Sequence, residues 1–284
     1  MERDIQFCVN TWILGHTPLA AAVSRAAALG FDGIELLVDE PAEYKPDEVK
    51  RLVRDAGIEI FTICTNFSSP DRILSHPDSE VRKSALDYVM GCVNLATSVG
   101  ARSVLIVPSQ VAATTPITTR EEDFQRAVKP MREAAEYAGE RQILLTIEPI
   151  NRFEAGLVHS LAEAIELVEL VHRDYCRVMG DTFHMQMEEG DGIPNAIRRA
   201  GHYWLQHLHA SDNTREAPGM GTMPWPEILR ALHDIDFEGY ISLEPLPRGF
   251  SPTDDGFPIQ RHDTELRRGL SYLREVQEAV RAYV

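Results

Sequence analysis

Short apolar runs recur along the chain, and longer segments with apolar residues at helical spacing separate them. The runs hold five to seven residues, and most are continuously apolar rather than alternating, which is typical of parallel strands covered on both faces. They predict eight strands, at Ile5–Asn10, Gly33–Val38, Ile58–Cys64, Ser103–Val107, Ile143–Glu148, Arg177–Asp181, Trp204–His209 and Tyr240–Glu244.

The segments between these runs end where glycine interrupts the apolar period, as at Gly30, Gly57 and Gly100. The last segment places its leucine and valine side chains on one stripe, which is typical of a helix packed against a core. We therefore predict helices between the strands, the better defined of them at Glu80–Val99, Arg120–Ala138, Asn195–Ala200, Pro226–His233 and Thr264–Val280.

Strands that alternate with helices throughout 284 residues predict a single-domain (β/α)8 TIM barrel, an α/β fold, spanning residues 1–284. No linker or low-complexity tract divides the chain. The alternative is an open, doubly wound sheet, a fold that usually carries a glycine-rich turn after its first strand. Because the stretch Asn10–Ile13 contains no such turn, the closed barrel is favoured.

The chain is acidic, with a formal charge of −16 and a pI of about 5.0. Such a surface repels phosphate groups, so neither nucleic acid nor a membrane is expected as a partner. The charged opening residues do not resemble a signal peptide, and no apolar run is long enough to predict a membrane span. The four cysteines form no CxxC pair, which is typical of free thiols in a reducing compartment, and we expect a cytoplasmic enzyme.

The clearest chemical signal is a set of polar residues at the carboxyl ends of four consecutive predicted strands. Intervals of 33, 28 and 35 residues separate them, close to one strand–helix unit each. In a barrel, this spacing brings the four side chains to the face where such enzymes do chemistry. Three carboxylates and one imidazole favour Mn²⁺ over Zn²⁺, with Mg²⁺ and Co²⁺ as the other candidates. The predicted metal ligands are Glu148, Asp181, His209 and Glu244.

A single acidic residue after a strand is more often a helix cap or a solvated surface group. Four such residues at the ends of consecutive strands favour a shared site instead, because charged groups at the ends of buried strands are costly unless they are paired or bind a metal. His207 lies two residues before His209 on the same strand, so both side chains point to the same side. We predict that His207 is a hydrogen-bonded core residue one layer below the metal.

Three further candidates, Glu154, His184 and Arg215, follow the ligand strands in what the sequence predicts to be loops. Their side chains could reach a bound molecule from above, although each taken alone is equally compatible with a solvated loop residue. Arg152 is an alternative kind of candidate, a structural partner for one of the carboxylates.

Glu148 and Glu244 share a local pattern, because each is followed by a proline that ends its strand. Two glutamates that approach one metal from different strands suit a two-base proton transfer. One carboxylate removes a proton from carbon, and the other returns one on the opposite face. The metal would polarise the adjacent carbonyl and stabilise the enediolate. We therefore predict Glu148 and Glu244 as the catalytic acid–base pair.

Several stretches together resemble the ketose 3-epimerases, the D-tagatose and D-allulose 3-epimerase group of the xylose-isomerase-like barrel superfamily. These stretches are Ile147–Glu154, Gly180–Met185, His207–Arg215, Pro218–Trp225 and Glu244–Pro245. The resemblance implies that Glu148 and Glu244 bind the metal and exchange protons with the substrate. It also implies that Asp181 and His209 complete the ligand set.

The same resemblance implies that Glu154, His184 and Arg215 hold the substrate oxygens near the reacting carbonyl. It further implies a homodimer or homotetramer. We expect the substrate to be a small, unphosphorylated keto-sugar, since no phosphate-binding loop is visible in the sequence.

The leading hypothesis is a metal-dependent epimerase or isomerase of a small ketose. The main alternative is a lyase, either a dehydratase of a keto-sugar or keto-cyclitol or an enzyme that cleaves 3-keto-glycosides, because these reactions also begin with proton loss beside a carbonyl. Apurinic endonucleases share the barrel, but they need several metals and a basic surface, which a charge of −16 disfavours. A metal-binding protein without catalysis is the remaining alternative.

Overall fold

The architecture is a closed barrel. The computed structural model describes residues 5–15, 17–251 and 258–282. Within them, eight parallel strands pair in chain order and the last pairs with the first, so the sheet has no free edge. The prediction of a (β/α)8 TIM barrel is confirmed. The strands are β1 Gln6–Asn10, β2 Gly33–Val38, β3 Glu59–Thr65, β4 Ser103–Ile106, β5 Leu144–Ile147, β6 Cys176–Asp181, β7 Leu205–Ala210 and β8 Tyr240–Leu243.

Helices connect the strands and cover the outside of the barrel. Two short 3₁₀ turns, Thr11–Leu14 and Pro41–Glu43, follow β1 and β2. Apolar residues on the buried helix faces join those of the strands in one extended hydrophobic core. The α-helices are α1 Leu19–Leu29, α2 Pro46–Ala56, α3 Ser79–Val99, α4 Arg120–Gly139, α5 Leu161–Val171, α6 Thr182–Glu188, α7 Ile193–Trp204, α8 Trp225–Asp234 and α9 Ile259–Ala282.

Each predicted strand end lies within one residue of the observed one. As a result, Glu148 and Glu244 lie directly after β5 and β8 rather than within them. The prediction that His184 lies in a loop is wrong, because α6 begins directly after β6. Asp181 ends that strand and also caps the helix, since its Oδ1 accepts a hydrogen bond from the Phe183 N–H at 2.7 Å.

Two irregularities in the sheet lie on strands that carry site residues. The pairing register shifts at Ile34/Glu35 between β2 and β3, and at Val178/Met179 between β6 and β7. Shifts of this kind re-aim the side chains that follow them. Gly33, at the start of β2, allows β3 to approach closely, because a Cβ at this position would lie 2.6 Å from the carbonyl oxygen of Glu59.

The four cysteines are buried and unpaired, as the sequence predicts. Among the residues that the structure covers, no helix is both long enough and apolar enough to cross a membrane. One closed barrel contains every strand of the described part of the chain. The assignment of all of residues 1–284 to one domain stays a prediction.

Candidate active site

A cavity of about 780 Å³ opens at the carboxyl ends of the strands. Trp12 and Phe67 line it, together with all but one of the predicted site residues: Glu148, Glu154, His184, His209, Arg215 and Glu244. The exception is Asp181, which is fully buried. A concave site with a few converging polar groups is the usual place for a small ligand in this fold.

The four predicted metal ligands lie together around the imidazole of His209. The Nδ1 atom of His209 is 3.4 Å from Glu148 Oε1, 3.9 Å from Asp181 Oδ2 and 3.3 Å from Glu244 Oε2. All four side chains are buried. The structure therefore brings three carboxylates to one side of the imidazole, as expected when the ends of β5 to β8 converge.

Two observations show that these residues fit a divalent metal. The Nδ1 of His209 is buried and has no hydrogen-bond partner within the described structure, although it faces the carboxylates. Buried polar atoms are rarely left in this state. In addition, donor atoms of Asp181, His209 and Glu244 all lie within 4.8 Å of one another. Carboxylate oxygens with one imidazole suit Mn²⁺, Mg²⁺ or Co²⁺.

Glu35 on β2 belongs to this cluster, although it is not among the site residues predicted from the sequence. The Nε2 of His209 lies 3.0 Å from both carboxylate oxygens of Glu35. The Nε2 of His207 lies 3.2 Å from Glu35 Oε2, and both histidines are buried, so His207 is a core residue as predicted. The prediction that it is hydrogen-bonded is wrong, because neither ring nitrogen of His207 has a hydrogen-bond partner within the described structure. The sequence signal that could have identified Glu35 is its position as an acidic residue inside an otherwise apolar predicted strand.

Burial and mutual contact shift the pKa values of Glu35, His207 and His209. Desolvation alone would raise the pKa of Glu35, but His209 and His207 outweigh it and hold that pKa well below its usual range. Burial lowers the pKa of His207. For His209, burial acts in the same direction, but the negative charges of Glu244 and Glu35 outweigh it and raise the pKa.

Arg215 connects two of the predicted metal ligands. One guanidinium nitrogen donates to Asp181 Oδ2 and another donates to Glu244 Oε2, each at 2.7 Å. The Arg215 backbone has φ of 62°, a left-handed conformation that is uncommon for a residue with a side chain. Its N–H donates to the carbonyl of Asp212 at 2.9 Å, and its own carbonyl accepts from Leu246 N–H at 2.7 Å. The loop after β7 is thus fixed to the segment after β8.

Asn151, which the sequence analysis also missed, orients two predicted substrate contacts. Its amide nitrogen lies 2.9 Å from Glu154 Oε1 and 2.6 Å from His184 Nδ1. Because the amide nitrogen can only donate, Nδ1 of His184 accepts, and in the neutral ring the proton lies on Nε2. That Nε2 is 3.9 Å from Asp181 Oδ2. The structure therefore brings both residues to the edge of the carboxylate cluster with a defined donor on His184.

Arg152 lies outside this cluster. Its guanidinium makes a bidentate contact with Glu188 at the end of α6, with nitrogen–oxygen distances of 2.6 to 3.1 Å. The hypothesis that Arg152 pairs with one of the metal-site carboxylates is therefore wrong. The pair instead links the loop after β5 to α6, the two segments that carry Glu154 and His184.

Asp212 organises the glycine-rich loop that follows β7. Its carboxylate accepts four hydrogen bonds at 2.9 to 3.0 Å, from the backbone N–H groups of Asn213, Gly219 and Met223 and from the indole N–H of Trp225. A fully buried carboxylate is tolerated here because every oxygen is satisfied. The stretch Pro218–Trp225 is therefore shaped around one acid, which the sequence did not single out.

A closed β/α barrel with an acid-rich cluster at its mouth defines the class of TIM-barrel enzymes that act on small ligands. The profile of the family described as xylose isomerase-like TIM barrel matches residues 23–276 of this chain. The chain belongs to this xylose isomerase-like TIM barrel family and, within it, to the ketose 3-epimerase group.

Similar proteins include two named D-psicose 3-epimerase. The protein from Ruminiclostridium cellulolyticum is 32% identical over 232 residues, covering 80% of this chain and 78% of that protein. The protein from Agrobacterium fabrum is 31% identical over 274 residues, covering 89% of this chain and 92% of that protein. A crystal structure of D-psicose 3-epimerase with D-tagatose from Clostridium cellulolyticum H10 superimposes with a TM-score of 0.87 at 28% identity, over 96% of this chain and 99% of that one.

Proposed function

We propose that this chain is a divalent-metal-dependent epimerase that inverts carbon 3 of a small, unphosphorylated ketose of the D-psicose and D-tagatose type. The observation that carries the proposal is the placement of Glu148 and Glu244 around one buried imidazole nitrogen, at 3.4 and 3.3 Å from His209 Nδ1. Two carboxylates so placed can serve opposite faces of one carbon. Similarity to the proteins named D-psicose 3-epimerase supports the choice of substrate.

Asp181, His209 and Glu244, whose donor atoms lie within 4.8 Å of one another, would hold the metal together with Glu148, which lies 3.4 Å from His209 Nδ1. Mn²⁺ is the ion that we propose, with Mg²⁺ or Co²⁺ as substitutes. When bound, such a cation supplies Lewis-acid polarisation of the ketose carbonyl. The protein groups do the rest of the work. Glu35, Arg215 and the buried surroundings fix the ligands before substrate arrives, so little reorganisation is required.

In the proposed reaction, one glutamate takes the proton from carbon 3 and the electron pair of that C–H bond moves towards the carbonyl. The other glutamate then delivers a proton to the opposite face of the same carbon. Glu244 is held for this task by Trp12 Nε1 and Asn10 Nδ2, which both donate to its Oε1 at 2.7 Å. Burial raises the pKa of Glu244 to about 7, with Asp181 and Glu148 adding to that effect and His209 and Arg215 opposing it.

His184, Glu154 and Arg215 are the groups that we propose to bind the substrate oxygens. All three line the cavity next to the carboxylate cluster. His184 offers a donor through Nε2, Arg215 offers guanidinium donors, and Glu154 offers an acceptor. Donors and acceptors of this kind would fix the sugar so that carbon 3 lies between the two bases.

Isotope exchange tests the proposal. D-psicose, D-fructose and D-tagatose are incubated separately with the protein and Mn²⁺ in deuterated water, and deuterium at carbon 3 is measured by NMR. We expect deuterium at carbon 3 of both the recovered sugar and its epimer. Net loss of water from the sugar would indicate the lyase alternative instead, and absence of exchange with every ketose would overturn the proposal. Protein treated with a chelator is the control.

We also propose a cytoplasmic location, supported by four buried thiols that remain unpaired. The homodimer or homotetramer implied by the family resemblance stays a prediction. Sedimentation analysis of the purified protein tests it, and a monomer at micromolar concentration would contradict it.

A further inference from the structure

Three buried side chains, one of them the proposed metal ligand His209, form a second polar cluster that reaches across the barrel interior. Glu35 comes from β2, whereas His207 and His209 come from β7, which lies three strands away around the barrel. Glu35 and His207 have no exposed surface, and His209 has almost none. An ionised carboxylate at such a depth is costly unless its partners offset the lost solvation. The position of Glu35 therefore needs an explanation in terms of what it contacts.

The contact geometry of Glu35 selects one tautomer of His209. Both carboxylate oxygens lie 3.0 Å from the Nε2 of His209. An ionised carboxylate can only accept, so the proton of this contact lies on Nε2. In the neutral ring, the other nitrogen, Nδ1, then carries the lone pair and faces the side where Glu148 and Glu244 lie at 3.4 and 3.3 Å. Without Glu35, nothing else in the described structure is shown to fix that choice.

His207 also contacts Glu35. Its Nε2 lies 3.2 Å from Glu35 Oε2, and its ring packs on Tyr240 with 4.4 Å between the ring centroids. This layer of packed rings below the carboxylate limits the directions in which Glu35 can point. The carboxylate is therefore directed towards the ring of His209.

We propose that Glu35, supported by His207, is a positioning residue that presents the Nδ1 of His209 to the divalent cation and makes that imidazole a stronger ligand. A carboxylate that accepts from the far N–H of a ligand histidine fixes the ring and increases its basicity. The proposal rests on the metal site of the proposed function. It assigns to Glu35 no contact with substrate.

An alternative reading would make Glu35, His207 and His209 a second metal site, since their donor atoms also lie within 4.8 Å of one another. That site would use the Nε2 lone pair of His209, which would leave the proton on Nδ1, facing the carboxylates. The two readings therefore require opposite tautomers of one imidazole ring. This difference can be measured directly.

Glu35→Gln is the sharpest variant, because the amide keeps the size of the side chain and can still accept from His209 while the charge is lost. Mn²⁺ affinity is measured by calorimetry on protein first freed of metal with a chelator. We expect it to fall about 10–100-fold, the usual effect of losing such a partner. The visible absorption of the Co²⁺-loaded variant is expected to shift as well, which a purely structural role for Glu35 would not cause.

Tyr240→Phe is the matched control. It removes a buried hydroxyl from the same layer, keeps the ring against His207, and leaves both Glu35 contacts intact. We expect its Mn²⁺ affinity and Co²⁺ spectrum to equal those of the wild-type protein.

Equal affinity and an equal spectrum in Glu35→Gln would overturn the proposal for Glu35 and leave the proposed function standing. A wild-type protein that binds no Mn²⁺ would instead overturn the metal site, and both proposals with it.

The wild-type protein decides the same point if Glu35→Gln does not fold. Nitrogen-15 spectra of the histidine rings are recorded on Zn²⁺-loaded protein, and the His209 signals are assigned by their loss in His209→Asn. We expect a protonated Nε2 and an unprotonated, metal-shifted Nδ1. A protonated Nδ1 would overturn the proposal and support the second-site reading.

Discussion

The indole N–H of Trp12 donates to Glu244 Oε1 at 2.7 Å, although 232 residues separate them in the chain. This contact crosses the line where β8 pairs with β1 and closes the barrel. Asn10 donates to the same oxygen, and Arg215 donates to the other. Glu244 is therefore held at both of its oxygens, whereas among the described residues the carboxylate of Glu148 makes one close side-chain contact, with His209 at 3.4 Å. The two proposed bases are thus fixed unequally.

Trp12→Phe removes one of these donors and keeps an aromatic ring in the cavity wall. A hydrogen bond to a charged group contributes roughly 1.5–3 kcal/mol, so we expect kcat to fall about 10–100-fold with a smaller change in KM. Steady-state epimerisation of D-psicose measures both quantities. Trp204→Phe, which removes an indole that packs on Arg177 far from the site, is the control. An unchanged kcat in Trp12→Phe would show that the orientation of Glu244 does not depend on the indole.

Replacing the two glutamates one at a time tests the division of labour between them. In Glu148→Gln and in Glu244→Gln we expect epimerisation to fall by at least about 10²–10⁴-fold, because each variant retains a base on only one face. The remaining base still exchanges the carbon 3 proton of the epimer that it faces. Deuterium wash-in with each epimer separately should therefore differ between the two variants. Full epimerisation by either variant, or identical exchange patterns, would contradict the two-base scheme.

The four proposed metal ligands were predictable because each lies at the end of a strand, and strand ends in a barrel converge. Glu148 and Glu244 could be found because each follows an apolar run that predicts a strand and precedes a proline that ends it. Glu35 could not be assigned in this way, since its role depends on β7 lying across the barrel interior, and sequence spacing does not encode that distance. Asn10 and Trp12 were missed as partners of Glu244 for a related reason, because the pairing of β1 with β8 exists only once the barrel closes.

The helix α6 illustrates a different kind of failure. From the sequence, an acid after a strand is interpreted either as a helix cap or, as for Asp181, as a metal ligand, but not as both. The structure gives the residue both tasks, with Oδ1 accepting from Phe183 N–H and Oδ2 facing Arg215 and His209. A carboxylate has enough acceptor sites for such a double role. Reading Asp181 as a cap as well would have predicted the helix that carries His184.

Metal binding is expected to stabilise the fold measurably. A ligand that binds only the folded state at 100 times its Kd adds about 2.7 kcal/mol, which corresponds to a rise in Tm of roughly 4–5 °C for a domain of this size. Thermal unfolding of chelator-treated protein with added Mn²⁺, Co²⁺ or Mg²⁺ measures this rise. His209→Asn should abolish it, since the imidazole at the centre of the carboxylates is lost. A rise of the same size in that variant would place the metal elsewhere.

Asp212→Asn should destabilise the protein without touching the proposed ligands. The carboxylate of Asp212 accepts from four N–H donors, and the amide of the variant would face two of them with its own NH₂ group. We therefore expect the free energy of unfolding, measured in urea, to fall by about 2–4 kcal/mol. Epimerisation should fall as well, because Arg215 N–H donates to the carbonyl of Asp212 and the loop positions its guanidinium. Asp234→Asn, which weakens an exposed pair with Arg198, should cost no more than about 1 kcal/mol. Equal stability of the two variants would contradict the role given to Asp212.

His262 should make stability depend on pH in the acidic range. Burial lowers its pKa from 6.5 to about 4, and the positive charge of Arg25 adds to this effect, while its contact with the Pro245 carbonyl and the charge of Asp263 oppose it. Between these two values the unfolded chain binds a proton that the folded protein does not, so unfolding becomes more favourable as the pH falls from 6.5 to 4. Below pH 4, His262 is protonated in both the folded and the unfolded state, so its effect on the free energy of unfolding no longer grows.

The size of the effect follows from the two pKa values, at 1.36 kcal/mol per unit, and is at most about 3 kcal/mol. Other acidic groups titrate in the same range, so the comparison must be made against His262→Gln, whose amide can still donate to the Pro245 carbonyl and cannot take up the proton. Urea unfolding at pH 7, 5.5 and 4.5 gives one stability curve for each protein. We expect the wild-type curve to fall more steeply than that of the variant as the pH decreases. Parallel curves would mean that His262 is protonated at the same pH in the folded and unfolded states.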